Sequence, residues 1–181
     1  MSVRHICHYS IFIALAVVTG YLIHFPILPQ APFLLYDPGH VFLLIAAFKF
    51  GPRAGMLMTL AYAAIFALIT GQGGPYGALM NFLSTSAFVL VSSWIYLKQH
   101  NKNGAIIGLF LGTLTMTFIM IPANLVITPL YLGVNRAIVL QLMLPAIIPF
   151  NLLRGLISSI LTLLVYKKIS AFLNQEHVVP R

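Results

Sequence analysis

The apolar residues of this chain fall into long runs, and the breaks between runs are made by proline, glycine and clustered polar residues. A run of about 20 apolar residues crosses a bilayer as a helix. The first run predicts a helix from Ile6 to Phe25, stopped at Pro26. The stretch FPILPQAPFLLYDPGH follows. Pro26, Pro29, Pro32 and Pro38 forbid a continuous helix there. Phe33, Leu34, Leu35 and Tyr36 are nonetheless too apolar for a free loop, so the segment is expected to fold back over the protein. A short helix, 41–50, stops at Gly51-Pro52, and a third runs from Arg53 to Thr70. GQGGPYG reads as a turn, and 78–97 as the fourth helix. After the polar loop KQHNKNG, the fifth covers 104–130, its far end interrupted by Pro122 and Pro129. An irregular stretch with Pro145 precedes the sixth, 149–169. The expected fold class is thus an all-α integral membrane protein, a single domain over 1–181 built as a compact bundle of six transmembrane helices. The second helix is the exception in length: ten residues reach about 15 Å against an apolar core of about 30 Å.

Composition sharpens this reading. Of 181 residues, 60% are hydrophobic and 7% charged, whereas soluble domains carry about 25% charged residues. That excludes a soluble globular domain and a disordered chain. The net charge of +8 has no basic stripe to serve nucleic acid, and the charges sit between the apolar runs, where they act on topology. With both termini cytoplasmic, Arg4, Lys49, Arg53, Lys98, Lys102, Lys167, Lys168 and Arg181 fall inside and only Arg136 falls in an outside loop. Eight against one fits the positive-inside rule. The N-terminal run reads as a retained span rather than a cleaved signal. The outside connections, 26–40, 71–77 and 122–149, are then the irregular ones. Non-helical backbone at membrane depth is tolerated where it is buried or lines a cavity, so these segments predict an outward-facing pocket.

The chain carries no phosphate-binding loop, no HExxH and no intramembrane carboxylate relay; its two carboxylates are Asp37 and Glu176. Its six histidines are scattered, and Cys7 is its single cysteine, so neither an enzyme nor a metal site is expected. Arg154, alone among charges in PFNLLRGLISSILTLLVY, is the sharpest signal. An intramembrane cation faces a cavity or partner, unless it snorkels from near the helix start. Asn151 lies three residues earlier on the same face. Asn81 and Asn124 fall in the outer ends of the fourth and fifth helices. These amides can line a polar patch in an apolar pocket or bond between helices. Phe33, Tyr36, Tyr76 and Tyr131 can stack on a flat ligand or form the aromatic belt. The backbone around Gly74 can approach a ligand closely. Ala14, Ala16 and Gly20 offer a small-residue face, either for packing within the protein or for docking another membrane subunit.

In order, YDPGHVFLLIAAFKFGPRAG, GGPYGALMNF, MIPANLVITPLY and LPAIIPFNLLRGLISSILTLLVYKKIS resemble the substrate-binding S component of an energy-coupling factor (ECF) transporter, in its riboflavin-specific branch. The resemblance spans Phe25 to Ser170. It implies a compact six-helix fold in the cell membrane of a prokaryote, a vitamin bound from outside, and no bound cofactor. It also implies partners: a transmembrane T component, docked through the first helix at Ala14, Ala16 and Gly20, and two cytoplasmic ATPase subunits. By position, Asn124, Asn151 and Arg154 correspond to residues that contact the flavin, with Arg154 where the family commonly has lysine. Another vitamin (a cobalamin, folate or pantothenate) and a ligand-free membrane scaffold stay open as alternatives.

Overall fold

The computed structural model describes residues 3–71 and 73–175, with side chains described through Tyr166; Glu176 and Arg181 lie outside the described residues. Helix α1 spans Val3–Leu22, α2 Gly39–Phe50, α3 Pro52–Thr70, α4 Gly74–Gln99, α5 Lys102–Leu132, α6 Arg136–Leu142 and α7 Ile148–Gln175. The proline-rich segment after α1 is not helical. It closes on itself through a two-residue antiparallel pair, β1 (Phe25–Pro26) and β2 (Leu35–Tyr36), with Phe25 opposite Tyr36 and Pro26 opposite Leu35.

The expected break at 51–52 stands where the chain reverses, whereas the glycine turn expected over 71–77 is shorter, because α4 already begins at Gly74. Gly51 takes φ 91° and Pro52 opens α3, where its missing N–H costs nothing. The connection into the sixth expected helix differs from expectation. Neither Pro122 nor Pro129 interrupts the fifth helix, and α5 runs unbroken for 31 residues. The stretch before the sixth helix is not irregular either: α6 leads into a π-helical turn, Met143–Ile147, and directly into α7. Pro145 lies inside that turn, where the wider π spacing accommodates its ring and its missing N–H. So 122–149 is mostly helix, capped at Asn135, whose side chain accepts from the Ala137 N–H at 3.2 Å.

Among the described residues, five segments, including the continuous Arg136–Tyr166, are long and apolar enough to span a membrane; α2, at 12 residues, is shorter. The protein is a helical membrane protein by this measure. Large apolar side chains such as Leu68, Phe118 and Leu144 point outward, as they would toward lipid. Among the interhelical contacts, α4 and α5 approach most closely through glycine. A Cβ on Gly108 would lie 2.6 Å from the Ser92 carbonyl oxygen, and one on Gly112 2.2 Å from Ser92 Oγ. Close backbone approach at small residues is how membrane helices associate when burial of apolar surface supplies no drive.

Candidate functional site: a polar-floored cavity at one end of the bundle

A cavity of about 260 Å³ opens between the β1–β2 segment, the turn before α4, and the facing ends of α3, α4, α5 and α7. Its walls are largely apolar, from Phe33, Phe66, Met80, Met120, Ile127 and Phe150. Its floor is polar: Asp37, Asn81, Asn124, Asn151 and Arg154.

Arg154 is buried, 8% exposed, and it does not snorkel. Its Nη1 donates to Ser84 Oγ at 3.2 Å, and its Nη2 donates to Asn81 Oδ1 at 3.1 Å and to His40 Nε2. Thr85 Oγ1 also donates to that amide oxygen, at 3.0 Å. A buried guanidinium needs this many acceptors, because its desolvation is recovered only when its donors are met. Its compensating charge is Asp37, itself 5% exposed. The two are joined through His40, whose Nδ1 donates to the Asp37 carbonyl at 2.9 Å and lies 3.5 Å from Oδ1. Tyr62 donates to Asp37 Oδ1 at 2.5 Å and the Gly39 N–H donates at 3.1 Å. The carboxylate therefore sits at the start of α2, where orphan helix N–H groups and the helix dipole favour a negative charge.

The asparagines differ in what they leave free. Asn124 Nδ2 donates to the Met120 carbonyl at 2.7 Å, and its Oδ1 accepts from Thr128 at 2.8 Å. Asn151 Nδ2 donates to the Ile147 carbonyl at 2.8 Å, but its Oδ1 is buried without a partner. An orphaned buried amide oxygen costs about 1–3 kcal/mol. Here it borders a cavity, where a ligand N–H can satisfy it.

The structure thus brings Asn81, Asn124, Asn151, Arg154, Phe33 and Tyr131 together around one cavity. Tyr36 and Gly74 are not among its walls. Tyr36 is buried behind it, its hydroxyl 3.5 Å from Ser158 Oγ and its ring edge-on to Phe25; burial pushes its phenol up. In the glycine turn it is Gly73 that borders the cavity, at φ 64° and with a would-be Cβ 2.7 Å from Gly77 Cα. The small face of α1 also needs correction. Ala16 and Gly20 are buried inside the protein against the start of α2 and against Tyr62, and only Ala14 is exposed. Sequence reasoning missed Asp37, His40, Tyr62, Ser84 and Thr85. One signal was available for Asp37: a chain with a single cation inside an apolar run and two carboxylates has few choices of counter-charge.

A helical bundle of membrane-spanning length with a cavity at one end, polar at its floor and apolar at its walls, has the form of a binding component. Comparison with known proteins gives it a family. The model of the ECF transporter substrate-specific component matches residues 4–166, and the chain belongs to that family of transport subunits, which are not enzymes. It is 33% identical to the riboflavin transporter RibU of Staphylococcus aureus, over 92% of this chain and 90% of that protein. It is 26% identical to the riboflavin transporter FmnP of Bacillus subtilis, over 97% of both. A solved structure described as the S component of a bacterial ECF transporter superposes with a TM-score of 0.82 at 30% identity, covering 94% of this chain and 97% of that one.

Proposed function

We propose that this chain is the riboflavin-binding, substrate-specific subunit of an ECF-type vitamin uptake transporter. The observation that carries the ligand assignment is the pairing on the cavity floor: an orphaned acceptor, Asn151 Oδ1, and the Arg154 guanidinium, whose protein contacts among the described residues run through Nη1 and Nη2 to Ser84, Asn81, Thr85 and His40 and leave Nε–H and one Nη1–H over. The pyrimidine edge of an isoalloxazine alternates carbonyl acceptors with one imide N–H. It therefore offers a donor to Asn151 and acceptors to Arg154, while the flat ring system meets the apolar walls. The riboflavin transporters among its relatives support the same ligand. Purified protein is expected to take up riboflavin with quenching of flavin fluorescence and to be yellow after washing. A colourless protein whose thermal unfolding shifts with a cobalamin, folate or pantothenate, and not with riboflavin, would reassign the ligand.

The finer architecture belongs to the same proposal. In it the chain makes six spans, counting α2, with both termini in the cytoplasm of a prokaryotic cell and the cavity opening to the outside of the cell membrane. The charge bias supports this, as does the Lys98 ammonium stacked 3.9 Å over Trp94 near the end of α4 away from the cavity, a pairing suited to an interface. In a Cys7→Ser background, a cysteine at Val134 is expected to react with an impermeant thiol reagent from outside, and one at Gln99 only after the membrane is opened. The reverse pattern would turn the cavity inward and remove the uptake reading. A T component and two ATPase subunits complete the transporter in this proposal, and the energy for accumulation comes from them.

A further inference from the structure

Outside the cavity wall, one buried side chain connects the chain's buried unlike charges. His40 is 1% exposed and does not border the cavity. The titratable and charged groups facing it are Asp37 from the segment before α2, Tyr62 from α3, with ring centroids 5.8 Å apart, and Arg154 from α7; α4 contributes Asn81, with Oδ1 at 3.2 Å. The Asn81 Oδ1 is an amide oxygen that only accepts, here from Thr85 and Arg154, so it is no donor to His40. With Nδ1–H donating to the Asp37 carbonyl, Nε2 is left as the acceptor for Arg154 Nη2.

This arrangement fixes the fork. Both Nη2 hydrogens are taken, one by His40 and one shared by Asn81 and, at 3.4 Å, Thr85 Oγ1, and one Nη1 hydrogen is taken by Ser84. Among the described residues, Nε–H and the second Nη1–H are what remain for the cavity. A planar guanidinium pinned on one edge can turn neither its plane nor its free donors away from that setting. Without the Nε2 acceptor, the contacts that remain, to Asn81, Ser84 and Thr85, all come from α4, so they can be exchanged by rotation about the last side-chain bonds, and the free donors no longer have one direction.

We infer that His40 is a positioning residue for ligand binding: anchored on Asp37, it holds the Arg154 guanidinium so that its free donors face the bound flavin. The inference rests on the proposed riboflavin reading, and the experiment separates the two. Riboflavin affinity is measured by fluorescence quenching for the wild type and for His40→Leu, His40→Gln and His40→Asn, with thermal unfolding of each without ligand. His40→Leu is expected to weaken binding about tenfold or more, the scale of a lost hydrogen bond to a charged group. Glutamine carries a polar atom where Nε2 stood and should bring affinity back to within about threefold of wild type. Asparagine replaces only the Nδ1 side and should bind as poorly as leucine. In an Arg154→Met background, His40→Leu should cost less than about twofold, because there is no fork left to hold. Should His40→Leu fail to fold, the glutamine and asparagine variants decide alone. Equal affinities for these two, or an undiminished loss in the Arg154→Met background, would overturn the inference. A wild-type chain that does not bind riboflavin would overturn the functional reading instead, and the inference with it.

Discussion

Replacing Arg154 by alanine is expected to reduce riboflavin affinity by at least about tenfold, the minimum for a charged hydrogen bond worth about 1.5–3 kcal/mol. Two losses add. The ligand loses a donor to its carbonyl edge in a water-poor pocket, where such a bond is stronger than in water. The protein loses the group that holds the acceptors of Ser84, Asn81 and His40, and Asp37 loses its buried counter-charge. Leaving a buried carboxylate without a nearby compensating cation is destabilising, so the ligand-free protein should also unfold at a lower temperature. Arg154→Lys separates the two losses. It keeps the charge for Asp37, but an ammonium with three donors cannot keep the contacts to His40, Asn81 and Ser84 and still donate to the ligand, as the five-donor planar fork can. Its stability should therefore lie nearer wild type than its affinity does. Titration by fluorescence quenching and thermal unfolding measure the pair. An Arg154→Ala protein with unchanged affinity would take the side chain out of the site despite its place on the cavity floor.

The same residue shows what could be read from the sequence and what could not. Arg154, Asn151 and Asn124 announce themselves because each is polar inside an apolar run, and the three-residue spacing puts Asn151 and Arg154 on one helical face. The start of α3 and the turn before α4 are equally visible, since Gly51-Pro52 and the glycine turn forbid continuation. The failures have two physical causes. Pro122 and Pro129 were expected to interrupt the fifth helix. Each removes one N–H, but a helix packed among neighbours absorbs that loss, and α5 continues to Leu132. Asp37 and His40 were invisible for a different reason. They belong to a proline-rich segment and a short helix, and their partners are 25 to 114 residues away in sequence. Nothing periodic links a carboxylate after four prolines to an arginine on the last helix. Only the fold brings them together, and the charge balance of the chain was the one hint.

Gly20→Leu is expected to abolish riboflavin binding and uptake together, not uptake alone. A small-residue face on the first helix invites a partner helix, and leucine there would then block assembly while sparing the ligand. The structure turns that face inward at its two most crowded points. A Cβ on Gly20 would lie 2.8 Å from the Tyr62 hydroxyl oxygen, 3.1 Å from Asp37 Oδ1 and 3.1 Å from the Phe66 ring. Opposite it, a Cβ on Gly39 would lie 2.6 Å from the Ala16 carbonyl oxygen. Four more carbons have no room there. Overpacking of a tight core costs about 1–3 kcal/mol, and the side chain that must give way first is Tyr62, which holds Asp37. Displacing it leaves a buried carboxylate one donor short, and His40 and Arg154 lose the anchor behind them. The effect therefore travels from α1 to the cavity floor through named contacts. Ala14 provides the contrast. It is exposed on α1, so Ala14→Leu should bind riboflavin and unfold as the wild type does. Its uptake in the assembled transporter then reports on docking alone: a fall in uptake assigns the Ala14 side of α1 to a partner, and wild-type uptake moves the partner surface elsewhere. Normal binding by Gly20→Leu with uptake lost would instead mean that α1 does not pack on Tyr62 and Asp37 as the structure has it.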